Sequence, residues 1–272
     1  MNFITEPFQY AFIQRAVLAA VITGVLCACL GTFVVLRRMS VVGHALTHSA
    51  LPGMVAAYLL GGSIFIGAAA ATMITAFGIG FLSKDDKVYE DTSVGMVPTV
   101  MFALGVLLIS AGKSYRDLSA MLFGNILGIT SGDLKLIALI TGATLLMLAF
   151  FYKELKLLCI DPDYAKAIGI PLHMLRYGLL LFLALTVVVG IQSVGTVLTN
   201  ALLVVPAATA RLLTDRLGTV MLLAGVFAVL SVLAGVFVSY YFSLSSGAAI
   251  VLACALIFVC VWLARAAKVK FY

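Results

Sequence analysis

The chain has 272 residues, of which 64% are hydrophobic and 10% are charged, and its formal net charge is +6. One soluble core cannot bury that much apolar surface, and repeated apolar runs of about 20 residues match the thickness of a bilayer. The composition therefore excludes a soluble enzyme or binding domain and predicts an all-α, polytopic helical membrane protein.

Hydropathy predicts about nine transmembrane helices in a single domain, with eight or ten as alternatives because the two shortest segments are marginal. In chain order the predicted helices cover residues 11–36, 44–60, 64–82, 93–111, 134–152, 175–191, 195–213, 219–238 and 247–263. No soluble domain or low-complexity linker interrupts them, so we expect one transmembrane domain over residues 1–272.

Positive charge predicts the orientation, because Lys and Arg collect on the cytoplasmic side of membrane proteins. With the N-terminus outside, four of the 17 Lys and Arg residues lie on the outer side: Arg15, Lys113, Arg116 and Lys135. The inner set is Arg37, Arg38, Lys84, Lys87, Lys153, Lys156, Lys166, Arg176, Arg211, Arg216, Arg265, Lys268 and Lys270. This distribution predicts a cytoplasmic C-terminus. Contact with anionic lipid headgroups explains the net charge without a nucleic-acid partner.

Two histidines, His44 and His48, begin the second predicted span. Positions i and i+4 share one face of a helix, so both imidazoles can converge on one divalent metal ion. Ionisable groups within a membrane usually mark a substrate path. The alternative is a pair whose hydrogen bonds are satisfied by neighbouring carbonyls. The spacing matches zinc proteases, but Ala45 stands where that chemistry needs a glutamate, so proteolysis is not predicted.

Helix-bending and polar residues in the second, fourth and seventh spans are further candidates for lining a pathway. Pro52, Pro98 and Pro206 each remove a backbone hydrogen bond and free a carbonyl, which is tolerated only beside protein or a water-lined cavity. Thr199 and Asn200 add polar atoms to the seventh span. The alternative for each is a kink or an interhelical hydrogen bond without a role in transport.

The inner loop at residues 153–176 predicts a short cytoplasmic helix. Asp161 or Asp163 can cap a helix that starts at Pro162, and Gly169 can end it. A capped amphipathic helix in such a loop is typical of a docking element, and simple packing on the membrane surface is the alternative.

Catalytic motifs are not predicted. Gly112-Lys113-Ser114 resembles the end of a phosphate-binding loop, but Leu107 occupies the earlier glycine position, so no nucleotide site is expected. The cysteines lie in or beside apolar segments and are expected to be packing residues without disulfides: Cys27, Cys29, Cys159, Cys254 and Cys260.

Four separated motifs resemble the permease subunits of bacterial manganese, zinc and iron ABC importers. They are the run Val-Leu-Arg-Arg-Met-Ser-Val-Val-Gly-His-Ala-Leu-Thr-His-Ser-Ala-Leu-Pro-Gly at 35–53, Glu-Asp-Thr-Ser-Val-Gly at 90–95, Asp-Tyr-Ala-Lys-Ala-Ile-Gly-Ile at 163–170, and the segment 194–214. The resemblance covers nearly the whole chain in the same order. It implies the type II ABC importer permease architecture, located in the bacterial cytoplasmic (inner) membrane.

The resemblance also implies the partners. These are a second permease, either identical or a paralogue, two cytoplasmic ABC ATPases that bind the ATP, and an extracytoplasmic metal-binding protein. The permease itself would be a non-catalytic subunit without a permanently bound cofactor. Within the loop at 153–176, the coupling helix that contacts the ATPase would comprise Asp163, Tyr164, Ala165, Lys166, Ala167, Ile168 and Gly169.

One position departs from the family pattern. In the family, the position that matches His44 is often an aspartate, and the position that matches His48 is a histidine. Replacing a carboxylate with imidazole removes a hard, negative ligand and should favour zinc or iron over manganese. The overall resemblance nevertheless makes manganese the expected transported ion, with zinc or iron as alternatives.

A different functional class stays open from the residues themselves. A stand-alone secondary carrier could use His44 and His48 as proton relays while moving a metal ion, and it would need no ATPase. Inverted repeats would favour that reading. The sequence contains no clear internal repeat.

Overall fold

The computed structural model describes residues 9–83, 89–112 and 128–269, and it contains no strand in these ranges. Its helices are α1 (Ala11–Leu36), α2 (Ser40–Ser49), α3 (Leu51–Leu59), α4 (Ile64–Leu82), α5 (Glu90–Gly112), α6 (Ser131–Phe150), α7 (Tyr152–Ile160), α8 (Pro162–Ala167), α9 (Leu172–Val194), α10 (Thr196–Leu213), α11 (Leu217–Phe242) and α12 (Ser246–Val269). Outside the described residues lie Lys84, Lys87, Lys113, Ser114, Arg116 and Lys270, together with the side chains of Glu90 and Lys268.

Eight of the described helices are long and apolar enough to cross a membrane, namely α1, α4, α5, α6, α9, α10, α11 and α12. Each coincides with a span predicted from hydropathy. The bilayer imposes this form, because a spanning segment must satisfy its backbone hydrogen bonds internally. The prediction of an all-α, polytopic membrane protein is therefore confirmed.

The predicted span 44–60 consists of two helical pieces with a break between them. α2 ends at Ser49 and α3 begins at Leu51, so the segment is broken at Ala50. The cause is Pro52, which has no N–H to donate to the carbonyl of His48 four residues earlier. With 10 and 9 residues, each piece is about 15 Å long or less, roughly half of the hydrocarbon thickness.

Glycines bring several helices into backbone contact. A Cβ atom at Gly31 of α1 would collide with the backbone carbonyl of Leu203 in α10. Gly53 of α3 and Gly67 of α4 face each other in the same way. Small residues at such crossings let membrane helices approach closely, which gains van der Waals contact where no hydrophobic effect drives association.

The N-terminal helix, α1, forms the centre of the bundle. Within its most apolar 18 residues, 72% are buried inside the molecule, against 17% for α12. It packs against α6, α9, α10 and α11. A buried hydrogen bond of 2.9 Å joins the hydroxyls of Thr23 in α1 and Ser193 in α9. Both α2 and α10 pack against this central helix.

The loop at 153–176 contains the predicted short helix, which here is α8. The carboxylate of Asp161 accepts a 2.9 Å hydrogen bond from the backbone N–H of Tyr164, so Asp161 rather than Asp163 is the cap. Pro162 occupies the first turn, where its missing N–H costs nothing. Gly169 ends the turn with φ of 81°, a left-handed conformation that suits glycine.

Candidate metal site

The histidine pair lies on one face of α2, as the spacing predicted. The two imidazole rings meet edge to face with 4.7 Å between their centroids. His44 is exposed and His48 is half-buried. A single ion beside α2 could therefore contact a nitrogen of each ring, because neutral imidazole binds divalent metals through either nitrogen.

The pair opens on a cavity of about 360 Å³ between α2 and α5. Its lining is mainly apolar and consists of Val41, His44, Ala45, His48, Val94, Gly95, Pro98, Thr99 and Phe102. The ring of Phe102 meets His48 edge to face, with 5.6 Å between centroids. The imidazoles are thus the main nitrogen ligands that this cavity offers to an ion.

Two prolines affect backbone oxygens near the pair. Pro98 cannot donate to the carbonyl of Val94, four residues earlier, and Val94 lines the cavity. Pro52 likewise leaves the carbonyl of His48 without its helical donor. A carbonyl that loses its helical donor is tolerated at membrane depth only beside protein or a water-lined cavity.

The helix α10 contributes Asn200 to the same place. Its amide nitrogen lies 3.1 Å from Nδ1 of His44, although the two residues are 156 positions apart. Among the described residues, neither the amide oxygen of Asn200 nor Nδ1 of His48 has a hydrogen-bond partner, and both atoms are buried. Asn200 thus contacts a histidine that lines the cavity, although it is not itself a lining residue.

The structure brings together only some of the residues predicted to line a pathway. Pro98 lies on the cavity and Asn200 contacts His44. Pro52 is buried at the start of α3, and Pro206 is buried within α10. Thr199 is buried, packs against Gly190 of α9, and donates 2.6 Å to the carbonyl of Gly195.

Within the part of the chain that the structure describes, side chains alone do not form a complete metal centre. Across residues 9–83, 89–112 and 128–269, no group of three or more His, Cys, Asp or Glu side chains is placed to hold a metal ion. An ion at the histidine pair would need further ligands from backbone carbonyls, water or a second molecule.

The predicted coupling helix, α8, is exposed on the surface of the molecule. Asp163, Tyr164, Lys166, Ala167, Ile168 and Gly169 are exposed, and Ala165 is buried. Tyr164 and Ile168 are large apolar residues that are 55% and 51% exposed. Nearby, burial raises the pKa of the Cys159 thiol to about 11, although the positive charge of Arg37 acts in the opposite direction. The exposed apolar side chains make this helix suitable for contact with another protein.

The sequence of residues 9–265 matches the profile of the ABC 3 transport family. The chain belongs to this family. The manganese transport system membrane protein MntC of Listeria monocytogenes is 40% identical over 258 residues, which cover 95% of this chain and 92% of the relative. The chelated iron transport system membrane protein YfeD of Yersinia pestis is also 40% identical, covering 95% of this chain and 87% of the relative.

A solved structure confirms the fold of this ABC 3 family member. PsaBC from Streptococcus pneumoniae, in complex with Fab, matches with a TM-score of 0.85 and 34% identity, covering 96% of this chain and 94% of that chain. The resemblance recognised from four sequence motifs is confirmed, and so is the architecture that it implied. The chain is a multi-pass membrane permease and a transport component.

Sequence reasoning missed six cavity residues of the ABC 3 permease, and two of them, Val94 and Phe102, are on the same face of α5 as Pro98. Both carried a usable signal, because they lie four residues before and after Pro98 and therefore share its helix face. Once Pro98 is chosen as a pathway residue, the same periodicity identifies its neighbours. The sequence does not indicate that this face of α5 packs beside the face of α2 that carries the histidines.

Proposed function

We propose that the chain is the permease of an ATP-driven importer of divalent metal ions, and that the ion passes the pair His44 and His48. The observation that carries the proposal is the pair of imidazoles, 4.7 Å apart, on a cavity in an otherwise apolar helical bundle. Ionisable groups are costly inside a membrane and are kept there mainly for function. The names of the relatives, which transport manganese or chelated iron, support the same conclusion.

Manganese is the ion that we propose first, with zinc or iron as the alternatives. The relatives named for manganese support this order. The two imidazoles favour softer ions than a carboxylate would, which keeps zinc and iron in consideration. A site of two neutral nitrogen ligands is weak, and weak binding suits transport because a tightly held ion would not leave.

A second permease, identical or a paralogue, is proposed to complete the path. His44 is exposed and the cavity beside it is open, so ligands from another subunit can reach an ion held by the pair. This proposal also accounts for the incomplete set of side-chain ligands within the described residues. The ion would then move along the contact between the two permeases.

Energy is proposed to come from two cytoplasmic ATPases, which bind the ATP, while an extracytoplasmic protein delivers the metal ion. The loop at 153–176, with the exposed helix α8, is the proposed contact with the ATPase. Exposed Tyr164 and Ile168 provide apolar area for that contact, and buried Ala165 anchors the helix to the permease. Movement of the ATPases would reach the bundle through this helix.

The proposed location is the bacterial cytoplasmic membrane, with the N-terminus outside and the C-terminus in the cytoplasm. Eight crossings would leave both ends on the same side. The broken pair α2 and α3 together covers residues 40–59, long enough for a ninth crossing, and this crossing gives the charge distribution described above.

Transport by the assembled system tests the proposal. The permease is reconstituted in vesicles with its ATPases and binding protein, and uptake of manganese, zinc and iron is measured with ATP, with a non-hydrolysable analogue, and with a proton gradient alone. We expect uptake only with ATP, and we expect its loss in the double variant His44→Ala/His48→Ala. The matched control is Thr209→Val, which removes a hydroxyl that only donates to the carbonyl of Val205 in its own helix, α10.

ATP-independent uptake driven by the proton gradient would contradict the proposal and favour the secondary carrier. Normal uptake by the double variant would place the path elsewhere, because both imidazoles are then dispensable.

A further inference from the structure

The contact between Asn200 and His44 is fixed by helix packing. A Cβ atom at Gly43, next to His44, would collide with the side chain of Leu203 and lie 3.7 Å from the amide oxygen of Asn200. Leu203, one turn after Asn200, also contacts Gly31 of α1 through its backbone carbonyl. The amide of Asn200 is therefore held beside the imidazole by close contact of α10 with both α1 and α2.

The hydrogen bond at Nδ1 determines what the other ring nitrogen can do. A neutral imidazole carries one proton, and the nitrogen without it holds the lone pair that binds metal. If the Asn200 amide donates to Nδ1 of His44, the proton is on Nε2 and that nitrogen cannot bind an ion. A half-turn of the amide brings its carbonyl oxygen to the same position, where it accepts the proton of Nδ1–H and leaves Nε2 free.

We propose that Asn200 is a positioning residue for His44: its side-chain carbonyl accepts the Nδ1 proton and so presents the Nε2 lone pair to the transported ion. This inference rests on the proposed function of His44. Histidine ligands in metal sites generally donate their second nitrogen to a carboxylate, carbonyl or water, which fixes the tautomer and the ring orientation. Asn200 is the residue in the described structure whose amide lies against Nδ1 of His44, and its carbonyl meets this requirement after the half-turn.

His48 is held in a different way. Its Nδ1 is buried and, within the described residues, has no hydrogen-bond partner, while its ring packs against Phe102. The orientation of His48 thus depends on ring packing, and the orientation of His44 depends on a hydrogen bond. A neutral amide also strengthens the imidazole less than a carboxylate would, which is consistent with an ion that must be released.

Zinc binding to the permease–ATPase complex tests the inference. Affinity is measured in detergent by competition with a fluorescent zinc chelator, and half-saturation of ATP-dependent uptake is measured in vesicles. Asn200→Leu has nearly the same size and lacks the amide, so we expect zinc affinity to fall by about 10- to 100-fold. Asn200→Asp retains an acceptor for Nδ1–H, so we expect affinity at least equal to that of the wild type.

Two comparisons separate positioning from a structural role. In the His44→Ala background, Asn200→Leu should cause no further loss, because the group that it orients is absent. The control Thr209→Val removes a buried hydroxyl from the same helix, which only donates 2.7 Å to the carbonyl of Val205. We expect this control to bind zinc like the wild type.

The inference is overturned if Asn200→Leu binds zinc like the wild type, or if it weakens binding by the same factor with and without His44. Should Asn200→Leu fail to assemble, Asn200→Asp decides: affinity well below wild type refutes the role as acceptor. If His44→Ala itself leaves zinc affinity unchanged, the proposed function of His44 fails. A loss with His44→Ala but not with Asn200→Leu rejects the positioning role alone.

Discussion

Substitution of His48 separates its role as a ligand from its role in packing. Its ring contacts His44 and Phe102, with centroid distances of 4.7 and 5.6 Å. Aromatic pairs contribute about 0.5–1.5 kcal/mol each, so His48→Ala should lower the free energy of unfolding by about 1–3 kcal/mol. His48→Phe keeps both ring contacts and removes both nitrogens, so it should cost little stability.

Metal binding, in contrast to stability, should be lost in both variants, because each removes the nitrogens of His48. Groups behind a metal ligand affect affinity by about 10- to 100-fold, so loss of the ligand itself should exceed about 100-fold, or about 2.7 kcal/mol. We therefore expect both His48→Ala and His48→Phe to lose ATP-dependent uptake, although only the alanine variant is less stable.

The assay is uptake of radiolabelled manganese by reconstituted vesicles, with thermal unfolding of the solubilised protein measured in parallel. Thr209→Val serves as the control, because the Thr209 hydroxyl only donates to the carbonyl of Val205 within α10. Recovery of uptake in His48→Phe would refute the reasoning, since it would show that the ring is needed for packing and not for its nitrogens.

Three further predictions concern selectivity, coupling and thiol chemistry. His44→Asp adds a hard oxygen ligand and should shift preference from zinc toward manganese, measured by competition of unlabelled zinc with radiolabelled manganese uptake; an unchanged ratio would contradict this. Ala167→Asp should leave the permease in the membrane but abolish co-purification of the ATPase, because a charge would be buried in the contact, whereas Ser245→Asp at the exposed α11–α12 turn should not. Undiminished co-purification with Ala167→Asp would show that α8 is a free surface. Because burial raises the pKa of Cys159 to about 11, its alkylation should be slow at pH 8 and accelerate toward pH 11, as located by mass spectrometry. Arg37→Gln removes a charge that lowers this pKa, so labelling should slow further, and faster labelling would contradict the assignment.

The membrane-spanning helices could be predicted from sequence because the bilayer makes the rule simple. A run of about 20 apolar residues has few alternatives to a spanning helix, which is why eight predicted spans coincide with observed helices. Hydropathy does not detect a break in hydrogen bonding, so it predicts the span at 44–60 without locating the break at Ala50. Pro52 carried that information, because its missing N–H could be read directly from the sequence.

The histidine pair could also be predicted, since i and i+4 geometry is local. The contacts of the pair could not, because they depend on how distant helices cross. Asn200 reaches His44 only because Gly43 and Gly31 allow α10 to approach α2 and α1 within backbone contact. Phe102 reaches His48 only because α5 packs beside α2. No periodicity in one segment specifies which face of another segment it will meet.

The two proposed activities, ion binding and ATPase docking, involve different helices, so we expect that each can be changed without the other. Ion binding involves α2, α5 and α10, whereas the contact with the ATPase involves α8, which packs against α7 and α9. Changes at His44 should therefore alter selectivity while the ATPase still co-purifies, and Ala167→Asp should abolish coupling while zinc affinity stays at the wild-type value. Reciprocal loss, in which either change impairs both properties, would instead mean that ion binding and ATPase docking bias the same conformational equilibrium. That outcome can be read from the same two variants, because each property is measured at equilibrium without turnover.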